Sequence, residues 1–96
     1  MKTRRKKFSG ISLIVPAHNS AGVIAGSIKK YSAFLSKIAA KYEIIVVCNA
    51  CKDNTGQIAR RTARQNKYVR VISIKERGKG FAVLEGFKSA KYGIIG

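Results

Sequence analysis

The sequence predicts an α/β domain built on a mainly parallel sheet with crossover helices. Two observations carry that prediction. Apolar, β-rich runs alternate with stretches of helical periodicity, and each run passes into the next helix through a short polar or glycine-containing loop. The order is strand, helix, strand, helix, strand, helix, and then the start of a fourth strand at the end of the chain.

Residues 11–15 form the first run, and Pro16 is expected to end it, because proline has no N–H to give to a ladder. Between residues 20 and 41, Ile24, Ile28, Tyr31, Leu35 and Ile38 recur at intervals of four and three, which is one face of a helix, with Ser20 or Asn19 as its cap. Residues 42–47 read as a central strand, since the apolar run from Ile44 suits burial on both faces. Asp53, Asn54 and Thr55 then offer capping side chains to a helix reaching about Asn66, with Ile58, Ala59, Thr62 and Ala63 inward. Residues 69–74 alternate as a strand with one wetter face, residues 75–79 are a charged loop, and a third helix carries Val83, Leu84, Phe87 and Ala90. Tyr92, Gly93, Ile94 and Ile95 begin the fourth strand, whose apolar edge nothing blunts, so the expectation is a domain truncated there. The division is a basic tail over residues 1–9 and a partial domain over residues 10–96.

Twenty Lys and Arg against four acids give a net charge of +16, five of the cations being Lys2, Arg4, Arg5, Lys6 and Lys7 in the tail. Such a balance points to an anionic partner: nucleotide phosphates, nucleic acid or an acidic membrane face. No apolar run approaches the ~20 residues of a membrane-spanning helix. The basic start lacks a cleavage signal, and the expected location is cytoplasmic, at most at the inner face of the membrane. The two cysteines form Cys48-Asn49-Ala50-Cys51, a spacing used by redox pairs and by half of a zinc site. A zinc site needs about four ligands, and with a single histidine the chain is short of them. Cys48 is expected to be a buried strand-end residue and Cys51 a substitute for a small serine.

In a parallel α/β sheet, ligands collect at the carboxyl ends of strands, where loops lead into helix N-termini that attract phosphate. Here those loops are residues 16–20, 48–54 and 75–79. Neither a Walker-type phosphate loop nor a Gly-x-Gly-x-x-Gly after the first strand occurs.

Pro16-Ala17-His18-Asn19-Ser20, the Val46–Thr55 stretch and Arg77-Gly78-Lys79-Gly80 instead resemble, in order, three motifs of the family 2 glycosyltransferases of GT-A fold, the polyprenyl-phosphate sugar transferases in particular. Family members have Pro-Ala-Tyr-Asn-Glu, Val-Val-Asp-Asp-Gly-Ser-Thr-Asp-Asn-Thr and Arg-Gly-Lys-Gly at these places. The chain departs from them at Ser20 and across residues 48–51. The resemblance implies a Rossmann-like half-domain that binds a nucleoside diphosphate sugar through Pro16, Ala17, His18, Asn19, Asn49, Asp53 and Lys79. Bland roles compete for three of these: His18 as a solvent-facing loop residue, Asp53 as a helix N-cap, and Lys79 as one solvated cation among twenty.

Most family members carry Asp where Asn49 stands. A carboxylate only accepts hydrogen bonds, whereas an amide both donates and accepts, which suits uracil, so the expected donor is UDP-linked. The resemblance also implies a divalent cation, Mg or Mn, held by an Asp-X-Asp segment beyond residue 96. No catalytic residue is therefore assigned, and transfer to a polyprenyl phosphate or glycan acceptor is expected only when a second segment or chain completes the domain. A competing reading is a small basic nucleic-acid-binding protein. Its charge favours that, but Tyr31, Phe34 and Phe87 fall on expected inward helix faces and build no stacking platform.

Overall fold

A computed structural model of the chain describes residues 8–49, 53–74, 86, 88 and 90–95. Among the described residues, four strands and two helices of more than one turn follow one another: β1 (Phe8–Ala17), α1 (Ile24–Ile38), β2 (Ala39–Asn49), α2 (Thr55–Gln65), β3 (Val69–Ile74) and β4 (Gly93–Ile95). They form a single sheet of order β3-β2-β1-β4 with every pairing parallel. This is the predicted α/β architecture. The parallel pairings put the carboxyl ends of β1 and β2 side by side, with Ala17 opposite Cys48.

Alternation along the strands divides the core between two faces. Ile11, Ile44, Val46 and Val69 join Ile24, Ile28, Leu35 and Ala59 of α1 and α2. Ile14, Ile45 and Val47 form the second cluster, on which Ile72, Ile74 and Ala90 pack. Gly86 is helical and buried against that second face, and a Cβ there would lie 2.5 Å from Ile14 Cγ2. Only glycine lets the backbone come this close.

The structure shifts several expected boundaries. β1 runs through Pro16 to Ala17, with Pro16 opposite Val47. Beyond Leu13, β1 pairs with β2 alone among the described residues, and a strand with one open side accommodates a proline as edge strands do. β1 also begins at Phe8, within the stretch read as tail, and β2 begins at Ala39. Helix α1 starts at Ile24, the first residue of the apolar spacing and one turn after the start expected at Ser20, whose carbonyl accepts from the N–H groups of Val23 and Ile24 in a preceding turn. Neither Ser20 nor Asn19 caps it, and Val23 occupies the cap position without a side-chain bond.

Two aromatics read as inward face solvent instead: Tyr31 is 40% exposed and Phe34 59%. The apolar stripe of α1 is narrower than the sequence implied, because Ile24, Ile28 and Leu35 already meet the sheet. Phe87 and the loop at residues 75–79 lie outside the described residues.

Acid 43 interrupts the apolar run of β2 and is nevertheless buried, at 5% exposure. Its carboxylate accepts from Ser12 Oγ at 2.7 Å, Lys91 N at 2.6 Å, and Arg70 Nε and Nη2 at 3.1 and 2.9 Å. Tyr92 N donates in turn to Ser12 Oγ at 2.9 Å. One carboxylate thereby ties together the amino-terminal parts of β1, β2 and β3 and the segment entering β4. Burial raises the pKa of Glu43, but the bonds from Ser12, Lys91 and Arg70 and the charge of Arg70 outweigh it, holding the carboxyl below its ordinary value.

Candidate functional site at the carboxyl ends of β1 and β2

The loops that follow β1 and β2 are tied directly to each other. Asn19 takes a left-handed conformation, φ 48°, which asparagine tolerates better than most residues. Its Oδ1 accepts from Asp53 N at 3.3 Å, and Asp53 Oδ2 accepts from Ala21 N at 3.2 Å. Thr55, fully buried, accepts from Ser20 N through its hydroxyl at 2.6 Å and donates that hydroxyl to Asp53 Oδ1. Asp53 Oδ1 also accepts from Thr55 N at 3.0 Å. The local sequence explains the clasp: Asx side chains bond backbone N–H groups two residues on, and the start of a helix has such groups to offer.

These bonds, with the side-chain bond from Thr55 first among them, hold the Asp53 carboxyl below its usual range against a smaller opposing effect of burial. Asp53 was expected at the N-cap of α2. Asn54 takes the cap position and makes no side-chain cap bond, while Asp53 serves the helix from one residue earlier and also holds the β1 loop.

The expected site residues on these loops come together in part. Pro16 and His18 are exposed and Ala17 is buried beneath them. His18 and Asn19 lie within 3.4 Å through Nε2 and Nδ2, and Ser20 Oγ donates to the His18 carbonyl. Asn49 ends β2 opposite Ile74 of β3. Lys79 lies outside the described residues. Cys48 is buried as expected but is disulfide-bonded, at the end of β2 under the first turn of α2, with Sγ 3.5 Å from where a Cβ on Gly56 would sit. The chain's other cysteine, Cys51, lies outside the described residues. The sequence reading missed Thr55 as a link between loops, having read it only as a capping residue.

Loops of two adjacent parallel strands, joined above a helix N-terminus with exposed polar side chains, lie where ligands gather in parallel α/β sheets. The sequence model of Glycosyl transferase family 2 matches residues 12–96. The chain belongs to that family.

Relatives include a dolichyl-phosphate β-glucosyltransferase of Saccharomyces cerevisiae, 30% identical over 94 residues, covering 88% of this chain and 28% of the relative. An undecaprenyl-phosphate 4-deoxy-4-formamido-L-arabinose transferase of Pseudomonas fluorescens is 24% identical over 87 residues, covering 88% of this chain and 26% of that protein. Among solved structures, a mannosyltransferase from Pyrobaculum calidifontis in complex with GDP-Man and Mn2+ superposes with a TM-score of 0.72 at 25% identity, covering 93% of this chain and 26% of that one. A glucosyl-3-phosphoglycerate synthase from Mycobacterium tuberculosis, solved with UDP, shares the fold at a TM-score of 0.68 and 22% identity, covering 88% of this chain and 31% of that one. The chain thus spans about a quarter of the length of the curated relatives it matches.

The mannosyltransferase holds Mn2+. The residues here do not fit that metal: among the described residues no three His, Cys, Asp or Glu side chains come together, and the sequence has a single Asp. Among the described residues no helix is long and apolar enough to cross a membrane.

Proposed function

We propose that residues 10–96 act as the nucleotide-binding part of a sugar transferase and bind the nucleotide of a nucleoside diphosphate sugar on the loops after β1 and β2. The observation that carries this reading is the clasp of Asn19, Ser20, Asp53 and Thr55, which orders the two loops before any ligand arrives. Preordered loops lower the entropy cost of binding. In this reading the Pro16 to Asn19 stretch lines the base and ribose, and Asn49 meets the base edge. Asp53 acts through the loops it joins, and Lys79 answers the diphosphate.

Asn49 favours uridine over guanosine, because its amide both donates and accepts whereas the adjacent guanine donors suit a carboxylate. The names of the relatives support a polyprenyl phosphate as acceptor. Residues 10–96 include no Asp-X-Asp pair, so sugar transfer needs a further segment or second chain to supply the metal ligands.

Calorimetric titration of the chain with UDP and GDP tests the reading. UDP is expected to bind more tightly, and Asn49→Asp is expected to weaken UDP by about threefold to tenfold, the worth of one hydrogen bond. Equal or tighter GDP binding refutes the uridine assignment. No binding of either nucleotide refutes the site.

A further inference from the structure

The opposite end of the sheet carries a feature that the nucleotide site does not use. A half-enclosed groove of about 240 Å³ opens at the amino-terminal ends of β2 and β3 beside the entry to β4, and Lys41, Lys67 and Lys91 stand around it. All three lysines are exposed. Its walls are tyrosines. Tyr42 and Tyr68 stack with ring centroids 4.5 Å apart, and the Lys67 ammonium lies 5.4 Å above the Tyr68 ring. Tyr92 covers Gly10, where an added Cβ would come within 2.8 Å of the ring.

The walls are held in place from below. Tyr42 Oη and Ser32 Oγ are 2.6 Å apart, Asn66 Nδ2 donates to the same Ser32 hydroxyl, and Glu43 receives Lys91 N. The one carboxylate lining the groove, Glu43, is already engaged by Arg70 at 2.9 Å. The other described acid, Asp53, is at the far end of the sheet. Among the described residues, no carboxylate therefore answers Lys41, Lys67 or Lys91.

We infer that this groove is a binding site for a phosphate monoester, the three lysines holding its two negative charges and the tyrosine walls its organic part. Three exposed lysines line one small, half-enclosed space, and a compact dianion there would relieve the repulsion among their charges. Lysine serves such a group as a point charge. The site is separate from the nucleotide loops. Lys41 and Cys48 are seven steps apart along β2, which is roughly 23 Å at ~3.3 Å per residue. The same chemistry is offered by a free sugar or glycerol phosphate and by the headgroup of phosphatidic acid.

The test uses the full chain, the triple variant Lys41→Ala/Lys67→Ala/Lys91→Ala, and a control, Lys29→Ala/Lys30→Ala/Lys37→Ala. The control removes the same charge from exposed positions on α1. Each protein is titrated with glycerol 3-phosphate by NMR and sedimented with phosphatidylcholine vesicles containing a minor share of phosphatidic acid. The chain is expected to bind at least one probe, the groove variant to lose at least tenfold, and the control to retain binding. On vesicles the loss is expected to approach 100-fold, at ~fivefold per lysine near an anionic surface. Binding of glycerol 3-phosphate identifies a free phosphate as the source, and binding to vesicles alone identifies the lipid headgroup. An equal loss in groove and control variants, or no binding of either probe by the chain, overturns the inference. UDP titrated in parallel reports separately on the nucleotide loops.

Discussion

Replacing Glu43 by Gln keeps the shape of the side chain and removes its charge, and the geometry around it sets the cost. One carboxylate oxygen takes both bonds from Arg70, and the amide oxygen of Gln can still accept them. The other oxygen, at 2.7 Å from Ser12 Oγ and 2.6 Å from Lys91 N, becomes an NH2 group. The Ser12 hydroxyl can turn to accept. The Lys91 N–H cannot, and a donor now faces a donor. Leaving that group unpaired costs about 1–3 kcal/mol. Loss of the ion pair adds at most ~1 kcal/mol, because the Arg70 side chain is 38% exposed and its charge is screened. The expected destabilisation is therefore about 1–4 kcal/mol, with Glu43→Ala at or above the top of that range.

Urea unfolding followed by circular dichroism reads these values. The pH arm has a definite sign. The folded pKa of Glu43 is depressed, so its contribution is fully present above the ordinary value of 4.5 and is lost as pH falls through the folded value. The difference in stability between wild type and Glu43→Gln should shrink over that acid window and stay level above it. A Gln variant within 1 kcal/mol of wild type at neutral pH, or a difference that is independent of pH through the acid range, refutes the reasoning.

Thr55→Val removes the acceptor of Ser20 N and the donor to Asp53; a loss of about 1–3 kcal/mol in urea unfolding is expected, together with weaker UDP binding by calorimetry. Gly86→Ala should cost about 1–3 kcal/mol by forcing a Cβ onto Ile14, and the penalty should vanish in an Ile14→Ala background, a coupling that a double-mutant cycle measures. Leu35→Ala should cost about 2–5 kcal/mol, and Phe34→Ala, at a 59% exposed neighbouring position, should shift the unfolding midpoint little.

The elements were legible because their periods differ: Ile24, Ile28 and Leu35 mark a helix face, and the unbroken run through Val47 marks a strand buried on both sides. The parallel order followed from the alternation of strands and helices. The boundaries were less legible because tertiary pairing overrides local preference. Pro16 remains in β1 because the register with β2 carries on to Ala17. The turn at Ser20 delays α1 to Ile24, where the apolar spacing itself begins.

Phe34 shows that aromatic character does not by itself imply burial. The spacing of α1 admits more apolar residues than the sheet can cover. At the candidate site the sequence named Asn19 and Asp53 on two loops that the structure ties together, but it could not show that Thr55 joins them. That bond links residues 35 positions apart in the chain. Glu43 carried a signal that went unread: a single acid within an apolar strand, in a chain with only four acids, calls for a buried cation or donor to meet it.

The central claim is that a nucleotide binds where β1 and β2 end. Amide chemical shifts of the isotope-labelled chain, followed during titration with UDP, test it most directly. Saturable shifts at Ala17, His18, Asn19, Asp53 and Thr55, with Tyr42 and Tyr68 unmoved, are the predicted result. Shifts confined to the Tyr42 and Tyr68 end of the sheet, or none anywhere at millimolar UDP, would contradict it.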